Sequence, residues 1–507
     1  MLEALSDSLG AIPHDDLGRW RSGKLALAAA TTHTTVESHD QAQPCASADG
    51  KLAAVFDGYL LNHAEIASEL EARGAKLRNR SDVEIALAGY ETWGEGVAEK
   101  LRGEYSLIIA DLRANRLFIT RDHMGFVPLY YKEEPGRLII ASDLRTIYAL
   151  SSTPLEPNKR FLAQMLANRY YLREDTVWSG VKKFIRAHTY SFDGEQMRSS
   201  RYWVPDTKIS IRYSSEREYV EHYKEVLFDC VRRASRADRP VGIAVSGGLD
   251  SSSIFCIADI LEKRGELQAP GFAGYSLAAE QGSNAYELPY ARAVAEHVGR
   301  PLTEVPLFDP NIDWYIEDAR WHRDISMGSN GAMMLGMDRR AVADGSRVMI
   351  NGSGGDEWLQ GNTQYYREYI AERDFGAFGK ALARDAESMG WVKAFKQAGR
   401  QTVAELTPGA IRSRIQERLR QQRRSGAFSW LAEEMRDILA QAEEDYVTLL
   451  PENGVHLAKH NLVMSPFHDK VYGLMRRQRA KAGLQSRHPM LSRAFIDFSL
   501  HACRDQA

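Results

Sequence analysis

Hydrophobic and polar positions follow two regimes along the chain. Up to about residue 205 the apolar residues come in short runs broken by turn residues. Leu52–Phe56 and Leu107–Asp111 read as buried strands, with Arg116–Thr120 and Arg137–Ser142 as hairpin-type neighbours. Helical spacing appears at Asn62–Ala72 and Asp82–Trp93, and Ser81 with Glu84 three residues on predicts a capping box. Mixed strands with few helices predict an α+β sandwich over residues 1–205. Beyond it, strands alternate with helices. Tyr213–Ala237 carries Val220, Tyr223, Val226, Leu227, Cys230 and Val231 at helical spacing. Val241–Val245, Gly271–Leu277, Pro301–Pro306 and Val348–Ile350 read as strands, and Asn284–Gly299 as an amphipathic helix ended by its glycine. That alternation predicts a doubly wound parallel sheet over residues 206–507, with its ligand at the carboxyl ends of the strands. Residues 363–470 read as a polar helical insertion without strand pattern.

Composition narrows the class. The 507 residues are 44% hydrophobic and 26% charged, as in an ordinary globular protein, and suffice for several domains. A net charge of −3 gives no push toward nucleic acid or an anionic membrane. Cys45, Cys230, Cys256 and Cys503 are scattered without CxxC spacing, so neither a zinc site nor a disulfide framework is expected. The opening MLEALSDSLGAIPHDD has no basic or apolar signal region. No apolar run approaches the ~18–20 residues of a membrane helix. A cytoplasmic protein is expected.

The chemistry concentrates in two glycine turns. In Val241–Cys256, VGIAVSGGLDSSSIFC, the strand runs into Ser246-Gly247-Gly248-Leu249-Asp250-Ser251-Ser252 and then a helix. Two glycines let a backbone approach a phosphate closely, and the first-turn amides and helix dipole face its charge. Serines cap the helix or add hydroxyl donors. Asp250 would repel a phosphate unless a cation lay between them, so the turn predicts a nucleotide with Mg²⁺. A bare GG turn would be ordinary capping; the full SGGLDSS carries more. The second turn is RVMINGSGGDEWLQG, Arg347–Gly361, where Asp356 and Glu357 follow Gly352, Gly354 and Gly355. Asp250 and Asp356 both sit just past a strand end, where two carboxylates share a cation that bridges phosphates.

SGGLDSS resembles the pyrophosphate loop of the N-type ATP pyrophosphatases, and no Walker GxxxxGK[ST] is present. Within that superfamily the chain is similar to asparagine synthetase-like amide-forming enzymes, which carry a GxGxDE-like motif where GSGGDE stands. FDGYLLNHAEIASELEARG (Phe56–Gly74), the SDVE helix from Ser81, RLFITRDHMGFVPLYY (Arg116–Tyr131) and RYWVP (Arg201–Pro205) resemble the family's glutamine amidotransferase half. The resemblance implies Val245, Ser246, Gly247, Gly248, Leu249, Asp250, Ser251, Ser252 and Gly352 at the nucleotide. It adds Ser276 and Leu277 near the adenine, and Asp250 and Asp356 as catalytic Mg²⁺ ligands.

Departures from the family pattern sharpen the reading. The family's amidotransferase nucleophile is an N-terminal cysteine, whereas Met1 precedes Leu2 here and Cys45 lies well inside. Asp57 replaces an oxyanion-hole asparagine, where a carboxylate repels the developing charge. Glutamine hydrolysis is therefore expected to be lost, with Asn62 and Asp82 kept for the fold. Ser353 stands where asparagine synthetases have Glu and β-lactam synthetases Tyr. GLQSRHPMLSRAFIDFSL resembles the segment that precedes the family's lysine; Lys470 and Lys481 precede the motif and are not given that role. These features look most like lasso peptide cyclases, which adenylate an Asp or Glu side chain of a precursor peptide and close a macrolactam with its N-terminal amine. ATP, Mg²⁺, the peptide and a leader peptidase or leader-binding protein are the implied partners. β-Lactam synthesis, ammonia-dependent asparagine synthesis and a non-catalytic nucleotide- or peptide-binding protein are the competing readings. The arginine-rich run Arg412–Arg424 reads as a solvated helix face or a docking surface for an acidic partner.

Overall fold

In a computed structural model, residues 2–206, 209, 211–283, 286–359, 365–407, 428–448 and 457–502 are described. Met1, the Arg412–Arg424 run, Cys503 and the expected helix start at Asn284 lie outside them.

The first half is built on antiparallel pairing. Strands β1 (Asp16–Ser22) and β2 (Leu25–Thr31) form a hairpin across Gly23, whose φ of +55° suits the turn. A six-stranded sheet joins β3 (Cys45–Ala46), β4 (Leu52–Leu60), β5 (Gly103–Asp111), β6 (Arg116–Arg121), β10 (His188–Phe192) and β11 (Met197–Arg201). Their order in the sheet is β11-β10-β6-β5-β4-β3. A second sheet pairs β7 (Tyr130–Glu134) with β8 (Arg137–Ala141) and β9 (Val181–Lys183). Helices His63–Ala72 and Asp82–Trp93 bury Ile66, Leu70, Val83, Ile85 and Leu87 against β4 and β5. The predicted α+β sandwich is thus present. The capping box is only half formed: the Glu84 amide donates to Ser81 Oγ, but the Glu84 carboxylate turns to Arg78 and Cys45. Pairing a buried carboxylate with a guanidinium outweighs one reciprocal amide bond.

The second half carries a five-stranded parallel sheet of β12 (Val241–Ala244), β13 (Phe272–Ala278), β14 (Leu302–Pro306), β15 (Val348–Ile350) and β16 (Gln485–Arg487). Its order, β14-β13-β12-β15-β16, reverses between β12 and β15. A doubly wound sheet binds its ligand at that reversal, outside the strand ends. Helices Glu216–Ala234 and Leu249–Lys263 share with the sheet a core built on Val231, Val241, Ile243, Ile254, Phe255 and Ile350. Gly299, at φ +74°, ends helix Leu288–Val298 as the sequence predicts. The insertion is helical where it is described. Among the described residues no helix is long and apolar enough to cross a membrane.

Packing crosses residue 205. Met124, Phe126, Val127, Ala187 and Trp203 of the first half belong to the same core as β12 and β15. Helix Pro466–Ala482 bridges the halves through Asp469, which meets Lys183 Nζ at 2.8 Å and Arg121 Nη2 at 3.1 Å. A second junction centres on Arg236, which pairs with Asp82 at 2.8 Å and Glu37 at 3.1 Å. Burial pushes the Glu37 carboxyl up, but His63 and Arg236 outweigh it and hold it down at about 2. A depressed carboxyl contributes stability above its unfolded value of about 4.3 and loses it as pH falls toward the folded value. Glu37→Gln is therefore expected to cost about 2 kcal/mol near neutral pH, allowing for solvent screening. In urea titrations that difference shrinks below about pH 4. A difference constant with pH would show that the carboxylate charge is not what holds this junction.

Candidate active site

The site is built at the sheet reversal. After β12, Val245 stays in the core at 1% exposure and its amide donates to the Tyr275 carbonyl at 2.8 Å. The chain then leaves the sheet. Gly247 takes φ +84°, and a Cβ there would lie 2.5 Å from Tyr290 Cβ and 2.6 Å from the Ala291 nitrogen. Only glycine allows that seat against helix Leu288–Val298. Gly248 is the N-cap of helix Leu249–Lys263 and offers no side chain, so the first-turn amides stay unclaimed by a cap. Ser246 and Ser251 brace the turn internally: their hydroxyls lie 2.9 Å apart, and the Ser246 amide donates to Ser251 Oγ at 3.0 Å. Ser252 Oγ is buried without a partner beside them. Leu249 points outward at 88% exposure.

The second turn closes on the first. A Cβ on Gly352 would come within 2.8 Å of the Ser251 nitrogen, and one on Gly355 would overlap the Asp250 carboxyl. Gly354 takes φ +108° against the Met490 carbonyl. These glycines let two loops, distant in sequence, interlock around one carboxylate. Burial, then the charges of Asp356 and Glu357, push the Asp250 carboxyl up, while the Asp356 amide donates to it. The Glu357 carboxylate accepts from the Gly354 amide at 2.9 Å. Among the described residues no three His, Cys, Asp or Glu side chains gather as a self-sufficient metal centre. The arrangement instead suits a cation held by one or two carboxylates and completed by phosphate oxygens, which is how Mg²⁺ binds. Gly355→Ala is expected to displace Asp250 and to lower any ATP turnover by at least ~100-fold with the melting temperature nearly unchanged. Steady-state rates and a thermal scan check both arms.

Residues 222–502 match the asparagine synthase family, and residues 1–203 match the glutamine amidotransferase domain. The chain belongs to the asparagine synthase family. Among its curated relatives is amidase chyE of Penicillium rubens, 29% identical over 349 residues, covering 66% of this chain and 50% of the relative. Amidase chry2 of Gibberella zeae is 27% identical and covers 74% of this chain and 57% of its own. Asparagine synthetase [glutamine-hydrolyzing] 1 of Bacillus subtilis is 26% identical, covering 69% and 54%. The chain spans about half the length of these relatives.

Other expected residues fall in place unevenly around this candidate site. Ser276 sits near the carboxyl end of β13, beside the first turn, but is 2% exposed, and Leu277 packs with Tyr275 and Met349. Ser276 is thus withdrawn from the surface and Leu277 only partly so. Lys481 pairs with Asp318 at 3.5 Å, and Lys470 lies 3.7 Å from the centre of the Tyr170 ring, its amine pushed down to about 7 by burial. Lys481 is thus committed to an ion pair, whereas Lys470 Nζ is buried against the Tyr170 and Phe161 rings without a hydrogen-bond partner. Ser353 donates its amide to Asn351 Oδ1 at 3.0 Å.

A cavity of about 140 Å³ lies where the two halves meet, lined by Gln43, Asp57, Gly58 and Asp82 of the first and by Arg476 and Gln485 of the second. Arg476, from the bridging helix, pairs with Asp57. Asp82 is held by Arg236 and by the Leu60 amide at 3.0 Å. Asn62 spans two backbones, donating to the Lys100 carbonyl at 3.0 Å and accepting from Arg102 at 2.9 Å. Cys45 is 6% exposed, and burial followed by the charge of Glu84 pushes its thiol up to about 12, so it carries no thiolate. Sequence reasoning missed Arg236 and Arg476, which carry no motif. It passed over Glu357 as a site residue although GGDE contains it.

Proposed function

We propose that the chain is an ATP-dependent amide ligase that closes a macrolactam in a precursor peptide, the reaction of a lasso peptide cyclase. The observation that carries the ATP chemistry is the interlock of Asp250 with Gly352–Asp356 at the sheet reversal. In this reading the Ser246–Ser252 turn cradles the triphosphate with its amides and hydroxyls. Asp250 and Asp356 would hold Mg²⁺, which would screen the charge that builds on the departing pyrophosphate. A side-chain carboxylate oxygen of the peptide attacks the α-phosphorus, and pyrophosphate leaves with the bridging electron pair. The N-terminal amine then attacks the acyl carbon and loses a proton, and AMP departs carrying one former carboxylate oxygen.

The choice of amine rests on the first half. Its carboxylates Asp57 and Asp82 are engaged by Arg476 and Arg236, and its internal cysteine is a buried thiol. Glutamine-derived ammonia is thus disfavoured, which leaves an amine on the substrate. Ser353, a poor base near neutral pH, removes the side chain that asparagine or β-lactam chemistry would use there. A leader peptidase or leader-binding protein is the partner this reading adds.

The test is pyrophosphate release with a short synthetic peptide bearing a free N-terminal amine and an internal Asp or Glu. The expected product is lighter than the linear peptide by one water, and N-acetylation prevents its formation. Turnover with free aspartate and ammonia alone, or with a single small amino acid, would refute the peptide reading in favour of its relatives.

A further inference from the structure

We propose that the outward face of helix Trp391–Leu406 is a docking surface for an acidic amphipathic helix of a partner polypeptide. This helix packs on Tyr365–Glu372 and Phe375–Met389 in a three-helix unit. The unit has its own core of Tyr365, Tyr366, Tyr369, Ala381 and Ala398. Tyr366 donates to the buried Asp385 carboxylate there at 2.7 Å. The helix makes that contact through small residues, Ala394 at 0% and Ala398 at 2% exposure, and through Glu405, which pairs with Arg367 at 3.0 Å.

Its large apolar residues face the other way. Trp391 is 58% exposed, Val392 84%, Phe395 57%, Val403 67% and Leu406 68%. At about 100° per residue these five, with Gly399 and the partly buried Thr402, fill one continuous sector roughly 120° wide. The Trp391 and Phe395 rings lie 5.6 Å apart at one end of it, and the space above Gly399 is open. Scattered exposed apolar residues are normal, but a continuous aromatic-led stripe marks an interaction site.

Charge decides the occupant. Lys393, Lys396 and Arg400 line one edge of the stripe, all exposed, and among the described residues none forms an ion pair. The following sequence, Arg412–Arg424, has six arginines and one glutamate, the same sign again. A second copy would bring two basic edges together. A membrane-lying helix shows a strongly charged polar face opposite its apolar one, whereas here the side opposite the stripe packs on the neighbouring helices. A helix with an apolar ridge and carboxylates beside it satisfies both features. This inference does not depend on the reading of the ATP site.

The experiment uses the full chain and two labelled synthetic peptides matched to the 16 residues of the helix. Both carry leucines at i, i+3, i+4 and i+7; one has glutamates along one edge, the other lysines. Anisotropy is expected to show binding of the glutamate peptide alone, weakening as salt rises from about 50 to 200 mM. Trp391→Ala with Phe395→Ala is expected to weaken it about thirtyfold or more. Lys393→Glu with Lys396→Glu is expected to shift preference to the lysine peptide, with the far-ultraviolet circular dichroism unchanged in both variants. Three results would overturn the proposal. They are equal binding of both peptides, binding to phosphatidylserine vesicles lost in the Trp391/Phe395 variant, or self-association lost in that variant.

Discussion

Replacing Asp250 by asparagine is expected to abolish ATP turnover while leaving the fold as stable as before, or slightly more so. The side chain lies against the backbone of Gly352 and Gly355, and asparagine fills the same volume. What changes is charge. Asp250 is pushed up by burial and by Asp356 and Glu357, so its ionised form costs the folded chain free energy. A neutral amide removes that repulsion and keeps an acceptor for the Asp356 amide. With ATP, the same change removes a carboxylate from the place where phosphate and cation charge must be balanced, and a loss of at least ~100- to 1,000-fold in kcat follows. The split is the diagnostic. A residue placed for structure would lose stability and rate together, whereas one placed for chemistry gains the first and loses the second. Thermal scans with ATP turnover for Asp250→Asn and Asp356→Asn read it directly.

The second large effect lies at the joint between the halves. Asp469 is 4% exposed and answers two cations from the first half, Arg121 at 0% exposure and Lys183. Burial pushes the Lys183 amine down, and Asp469 is what favours its charged form there. Removing one partner of a buried pair leaves an uncompensated charge, which costs about 3–5 kcal/mol, more than the intact pair is worth against an apolar replacement. Asp469→Ala is therefore expected to lower the denaturant midpoint by that equivalent. Arg121 keeps its bonds to the Val127 and Gly125 carbonyls, both at 2.8 Å, so Lys183 is the more exposed loser. Adding Lys183→Met is expected to recover part of the loss. Full additivity of the two substitutions would mean that the pair does not interact.

These two cases differ in how far the sequence foretold them. Asp250 and Asp356 could be read because glycine turns after apolar strands announce themselves, and the sheet order then brought the turns together. The strands and helices read from apolar spacing in both halves were equally legible, but β2, apolar along Leu25–Ala30, was passed over. Strand β16 was not. Gln485, Ser486 and Arg487 are 8%, 4% and 0% exposed, a buried strand made of polar residues. Arg487 is satisfied there by the Ala234 carbonyl at 2.9 Å and Gln485 Oε1 at 2.8 Å, with the Tyr59 ring 4.3 Å away. Hydrophobic patterning is blind to such a strand because hydrogen bonds, not apolar burial, hold it. The arginines that meet Asp57 and Asp82 were hidden for a related reason: ion pairs between distant segments leave no local period. Glu84 shows the converse, a local capping signal overridden by a tertiary partner.

The most direct test of the ATP chemistry follows an oxygen atom. A peptide whose Asp or Glu side-chain carboxylate is labelled with ¹⁸O is incubated with the full chain, ATP and Mg²⁺, and the nucleotide products are analysed by mass spectrometry. Attack on the α-phosphorus followed by amide formation places one labelled oxygen in AMP and none in pyrophosphate. Label in inorganic phosphate with ADP as the nucleotide product, or amide formation without label in any nucleotide, would contradict the account.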